Sequence, residues 1–369
     1  MDWPREYREV RGFELPLSRE GFGAALQRGQ GRAVLQAKRF AGACDEDLII
    51  DACIHHQAYD PQCEGDRSAW MMGIVEAAGL QDVACEGVVR RLGEAFREEE
   101  YWDAFHVCAL AKRMAERGRA AAGEALRAGA ERDERLAELL RPAEEVAREP
   151  KGERPRAMTA AEVIEKIRAE DPETSPRWPL GAGGRLTEEG RAEVAAAMFA
   201  ETEPGRLRKY LRALRFRGLG TFDGRLLGLA RHADVGVREG AFGVLKHFEH
   251  PAVRALTVEC AERREFGEGQ ARLLERNFCA EDGAMLERTL AFPSDVHAFH
   301  SLILDLVNGL AEIDSSEVNG ILRFVYEYSP CGLCRAGAAR GLARRGALPR
   351  WMMEECPYDV DEALRDLGG

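Results

Sequence analysis

Residues 53–67, CIHHQAYDPQCEGDR, gather two cysteines, two histidines, three acids and an arginine into one short stretch. Thiolates, imidazoles and carboxylates are zinc ligands, and a histidine beside an acid is the beginning of general acid–base chemistry. A metal reading takes Cys53, His56, Cys63 and Glu64. Periodicity weighs against it. Leu48, Ile49, Ala52, Cys53 and His56 recur at i, i+1, i+4, i+5 and i+8, which is one face of a helix. Cys53 and His56 then belong to that apolar face, and Asp60 to Arg67 form a turn. Asp60-Pro61 starts it, Gly65 can take positive φ, and Asp66 can cap the next helix. At roughly ten residues this loop exceeds most helix–helix links. Loops held by a rigid scaffold often carry function, so Asp60, Gln62, Glu64, Asp66 and Arg67 are the expected partner-binding residues.

A second thiol cluster lies in SPCGLC, where Cys331 and Cys334 have Cys-x-x-Cys spacing at a helix start. A helix dipole there lowers a thiol pKa, as in redox disulfides. Such motifs normally follow a strand in a βαβ unit, and no strand precedes this one. Cys356, in EECPYD, is the third ligand if metal binds, and no fourth is evident. The pairs His247/His250 and His297/His300 stand one turn apart without a base-bearing HExxH pattern, and read as structural or exposed. No metal and no cofactor is expected. Cys331, Cys334 and Cys356 are the outside candidates for a thiol- or zinc-dependent regulator.

The strongest charge feature is 205–240, with nine Arg or Lys against three acids. In GRLRKYLRALRFRG, Leu207, Leu211 and Leu214 mark a buried stripe, and Arg208, Arg212 and Arg215 run parallel one position on. These three arginines, with Tyr210 and Phe216 nearby, could grip phosphate or another anion. The competing reading is a solvated face paired with acids of adjacent helices. Base excision needs a carboxylate beside aromatic walls. EEEYWDAFH (98–106) supplies Tyr101, Trp102 and Asp103, but the acid neighbours Trp102 instead of standing one turn from it. No Walker loop, nucleophile elbow or dinucleotide fingerprint appears; GAGG (181–184) lies in a Pro-rich stretch and reads as loop. No catalytic residue is assigned.

The elements that must position these residues are helices. Ala, Leu, Arg and Glu dominate, aromatics are 7%, and no alternating strand series or Asn-Gly hairpin signal occurs. Segment 101–116 turns Tyr101, Ala104, Phe105, Cys108, Leu110, Ala111 and Met114 to one side. GILRFVYEYSP (320–330) is the most strand-like stretch and still reads as helix. Turns are expected at Gly79, Gly118, Gly129, Pro204-Gly205, Pro251, Pro330 and Gly346. Short links imply antiparallel helical hairpins. The rhythm breaks at 148–184, a charged and Pro/Gly-rich connection holding one short helix, which Thr159 and Glu162 open as a capping box between the staple residues Met158 and Val163. The expected division is 1–147, 148–184 and 185–369. A formal charge of −12 disfavours uniform nucleic-acid coating. A polar N-terminus and the lack of a long apolar run point to a cytoplasmic chain with mostly reduced cysteines.

A phrase recurs in the second half: DVGVREGA from Asp234, HPAVRALT from His250, SPCGLCRAGA from Ser329 and DEALRDL from Asp361. Each has a cap or proline, then an apolar residue followed by arginine: Arg238, Arg254, Arg335 and Arg365. The apolar residue enters the core, and the arginine can reach carbonyls or acids of the adjacent turn. The phrase resembles the start of the second helix of HEAT and related armadillo-like repeats, with Ala241 and Ala338 at the small position. The resemblance covers 220–369 and extends by helix rhythm to 19–145. It implies an all-α, HEAT-like right-handed superhelix of antiparallel helix pairs. It also implies a non-enzymatic scaffold that binds a protein or peptide along a concave face. Some HEAT-like proteins bind DNA as alkylbase glycosylases, and others are bilin lyases or their chaperones. A nucleic-acid-binding protein using the 206–217 cations is therefore the second expectation.

Overall fold

A computed structural model describes residues 10, 12–58, 67–141, 157–174, 178–263, 269–290 and 292–367. Among these, every regular element is a helix, and none is long and apolar enough to cross a membrane. The strand-like stretch is the helix Asn319–Tyr328. Contacts divide the chain into two units. One comprises Glu153–Leu322. The other joins Arg8–Gly152 to Arg323–Gly369. The expected division is at 147 and 184, and contacts group the last part of the chain with the N-terminal half.

Long-range chemistry explains that grouping. The Arg32 guanidinium donates to Glu355 and Glu327, each at 2.7 Å. The Trp70 indole donates to Tyr358 O at 2.9 Å. Gly31 lies so close to the returning segment that a Cβ there would stand 2.2 Å from Glu355 O. Within this unit alternate helices pack in two rows. Gly31–Arg39, Ser68–Ala77 and Tyr101–Glu116 follow one another in one row; Glu46–Ile54, Gln81–Gly93 and Ala120–Arg132 do so in the other. Gly79, Gly118 and Gly346 all take positive φ, as their turn positions require. Gly129 instead lies inside Ala120–Arg132, where its missing side chain makes room for Leu136.

The Glu153–Leu322 unit opens with the helix Ala160–Ala169. The Thr159 hydroxyl accepts from Glu162 N–H, and Glu162 accepts from Thr159 N–H at 2.7 Å. Val163 is fully buried, so this helix packs into the unit. In GAGG only Gly184 is a turn residue. Trp178–Gly183 is helical, and a Cβ on Gly183 would fall 1.7 Å from Ala213 O. The glycine serves a close helix crossing, a use that composition alone cannot separate from a turn. From there the unit builds two rows again. Pro204–Leu214, Val235–Leu245, the turn Ala271–Leu273 and Val296–Leu310 touch in succession; Arg225–Leu229, Pro251–Glu262 and Asp282–Thr289 do the same behind them.

The recurring phrase marks helix starts. Asp234 Oδ1 accepts from Val237 N–H at 2.9 Å, His250 Nδ1 from Ala252 N–H at 3.1 Å and Asp361 Oδ1 from Ala363 N–H at 2.9 Å. The arginines turn back. Arg238 donates to His232 O and Ala233 O at 2.8 and 2.9 Å. Arg365 donates to the carbonyls at the same offsets, Asp359 O and Val360 O, at 2.9 and 2.8 Å. Arg254 pairs with Asp282 at 2.6 Å, and Arg335 with Asp359 at 3.0 Å.

Candidate functional site

Arg208, Arg212 and Arg215 line one groove of about 570 Å³ within the Glu153–Leu322 unit. The helix Pro204–Leu214 carries the first two. Pro204 at its first turn needs no N–H partner, and Glu203 takes the N–H groups of Gly205 and Arg206 at 3.0 and 2.7 Å. Its leucine stripe is spent inward. Leu207, Leu211 and Leu214 are buried, which stabilises the unit by about 1.5–3 kcal/mol for each fully buried side chain. The arginine stripe is thereby turned toward the neighbouring helix, Val235–Leu245.

That neighbour presents glycines. Gly236, Gly240 and Gly243 stand at i, i+4 and i+7, on one helix face. A Cβ on Gly236 would lie 2.6 Å from Arg208 Cδ, one on Gly240 2.8 Å from Leu211 Cβ, and one on Gly243 3.0 Å from Arg215 Cγ. The Arg208 and Arg215 stems thus lie against bare backbone, and both side chains line the groove. Arg208 pairs with Asp234 at 3.0 Å and approaches Glu173 at 3.8 Å. Lys209, though it lines the groove, is committed to Glu170, Asp171 O and Thr174. Arg272 donates from Nε to Asp305 at 2.5 Å, and the other Asp305 oxygen accepts the Gly269 N–H. Glu173, Glu239, Ser301 and Leu304 complete the lining. The surface is therefore cationic overall but of mixed sign. It can hold an anion against the arginines while hydrogen-bonding neutral polar groups along its length.

The other expected residues fall elsewhere. Asp60, Gln62, Glu64 and Asp66 lie outside the described residues, as does Cys63. Arg67 is 4% exposed, and it donates to Leu26 O and Gln27 O at 3.2 and 2.9 Å. It anchors the entry to Ser68–Ala77 from inside, so its guanidinium is not presented on a surface. Tyr210 is fully buried and cannot stack on a ligand, whereas Phe216 is 60% exposed. Cys331, Cys334 and Cys356 are all buried. The three do not converge to ligand distances of a common ion, and the Cys356 thiol contacts the Tyr326 hydroxyl at 3.7 Å. Burial pushes the Cys356 thiol up to about 12, so it resists forming a thiolate. His247 Nε2 bonds Arg215 O at 2.8 Å, and His250 stacks on Phe222 with ring centroids 3.8 Å apart; both act in packing.

The opening stretch keeps its buried half. Cys53 is fully buried in Glu46–Ile54, and burial pushes its thiol up to about 12. His56 follows the helix end. Asp103 accepts the His56 N–H at 2.8 Å and meets His55 Nδ1 at 2.9 Å. Its carboxylate therefore closes the end of the Glu46–Ile54 helix. This does not supply the base-holding wall that an excision site needs. Burial holds the His56 imidazole down to about 4, reinforced by His106, whose ring lies 5.4 Å away. Sequence reading found the groove arginines but missed Arg272, Asp305 and the glycine face. The glycine spacing in VGVREGAFGVL was the available signal; nothing local links Arg272 to Arg215.

Compared with protein-family models, with curated proteins and with solved structures, the chain matches none.

Proposed function

We propose that the chain is a non-enzymatic, HEAT-like superhelical scaffold, and that the groove of the Glu153–Leu322 unit binds an acidic, mixed-charge segment of another protein. The two rows of successively packed helices support the superhelical reading, since stacked pairs bury a continuous core and leave one row to form an extended surface. The observation that carries the binding reading is the composition of the groove. Arg208, Arg212, Arg215 and Arg272 line it, interrupted by Glu173, Glu239 and Asp305. A peptide with acids and neutral polar side chains complements that alternation.

A nucleic-acid-binding role is the second reading, favoured by the exposed Phe216 beside the arginines. Against it, a strand with a phosphate at every nucleotide would meet the three acids of the same groove. Fluorescence anisotropy with labelled acidic, neutral and basic peptides, and with single- and double-stranded DNA, separates the readings. Acidic peptides should bind the intact chain. The double substitution Arg212→Glu, Arg215→Glu should weaken that binding at least about tenfold, as expected for lost charge-assisted hydrogen bonds. No peptide binding at low salt would reject the proposal. DNA binding that falls steeply with salt would select the second reading.

A further inference from the structure

We infer that Arg215 and Arg272, which line the same groove, form a phosphoryl-binding site there, which takes one phosphorylated side chain of the bound peptide. The inference rests on the reading of the groove as peptide-binding and adds the chemistry of its anchor.

Three observations converge on it. First, the Arg215 guanidinium lines the groove and has no ion-pair partner among the described residues, whereas Arg208 and Arg272 are paired with Asp234 and Asp305. An arginine without a counter-charge on a lining that is cationic overall favours a bound anion. Second, the cations are preorganised. Asp305 holds Arg272 through Nε, and the other Asp305 oxygen is occupied by Gly269 N–H. Among the described residues, no hydrogen bond takes the two terminal nitrogens of Arg272, which face the ligand as a fork. The Arg215 stem is set by Gly243. Third, the amount of charge suits a phosphate monoester. It carries about −1.5 to −2 at neutral pH and offers three acceptor oxygens, whereas one guanidinium fork already satisfies a carboxylate. Glu173 and Glu239 on the same lining limit the ligand to one such group, because further phosphates along a polymer would face them.

The test uses the full chain and an oriented peptide library in three forms, with serine, aspartate or phosphoserine at the central position. Inorganic phosphate serves as competitor and a single-stranded oligonucleotide as a separate arm. The phosphoserine form should bind about tenfold tighter than the aspartate form, the scale of one added charge-assisted bond, and inorganic phosphate should displace it. Arg215→Ala should remove that preference while the aspartate form still binds. Arg272→Lys keeps the charge without the fork and should reduce the preference in part. Thermal melting of each variant confirms folding, and a variant that melts early is replaced by Arg215→Gln, which removes the charge and keeps a polar stem. Equal binding of phosphoserine and aspartate forms would overturn the phosphoryl site and leave the peptide groove standing. Failure of all three forms would overturn both. An oligonucleotide bound more tightly than the phosphoserine form would overturn the inference in favour of nucleic acid.

Discussion

Arg32 and Arg335 in one unit, and Arg215 and Arg272 in the other, are the same side chain in opposite circumstances. Arg335 is 0% exposed and pairs with an equally buried Asp359. Arg32 is nearly as buried; against that burial, Glu355 and Glu327 keep it charged. These guanidiniums close the Arg8–Gly152 segments onto Arg323–Gly369. In the other unit both side chains line a groove, and the Arg215 stem lies against Gly243. One is unpaired among the described residues, and one is held by a single nitrogen. The difference shows that arginine content and spacing do not separate a fold-closing cation from a ligand-facing one. The location of the nearest carboxylate and the volume of the facing residues do.

Breaking the buried side of that comparison should have the largest effect. Arg335→Ala leaves Asp359 buried without its counter-charge, and should cost about 3–5 kcal/mol, the range for removing one partner of a buried pair. Denaturant titration of the full chain measures it; a loss below a tenth of that scale would mean water reaches Asp359. The glycine floor comes next. Gly240→Val places a branched side chain where a Cβ already meets Leu211 at 2.8 Å, and should cost about 1–3 kcal/mol by overpacking. Peptide binding should fall with it, because the helices that carry the groove are pushed apart. An unchanged melting temperature would show that the floor is not tight.

Acid should have the next largest effect. Burial holds His56 down to about 4 and also lowers His247. Between an ordinary histidine pKa near 6.5 and about 4, the unfolded chain takes up protons that the folded chain refuses. The His56 contribution is therefore fully present above pH 6.5 and is lost as pH falls toward 4. Melting the chain across this range should show a decline that His56→Leu flattens; an identical slope in the variant would assign the loss to carboxylates. The smallest effect belongs to the exposed side. Arg215→Ala should change stability by less than about 0.5 kcal/mol while still weakening anion binding. A large stability loss would place Arg215 among the fold-closing arginines and remove the contrast.

Much of the local structure was legible. The capping box at Thr159 and Glu162, the helix Tyr101–Glu116 and the leucine stripe of Pro204–Leu214 each follow from a few neighbouring residues. The parallel arginine stripe was legible for the same reason, because helical spacing alone fixes which side chains share a face. What misled were residues whose meaning depends on a distant neighbour. Gly181 to Gly184 looked like loop because flexibility and close approach use the same amino acid. Arg67 looked available because its partners, Leu26 O and Gln27 O, are backbone atoms far back in the chain. Arg272 went unremarked because it lines one groove with Arg215 only after separate segments fold together.

The sequence by itself determined the helices, their caps, their inward faces and the stripe of Arg208, Arg212 and Arg215. These rest on interactions within a turn or two, where the order of residues is the geometry. Tertiary structure alone decided that 323–369 joins the N-terminal helices, that Gly236 and Gly243 lie beneath Arg208 and Arg215, and that Arg215 and Arg272 line one groove. Coulomb attraction and steric fit act through space, and separation along the chain carries no information about them.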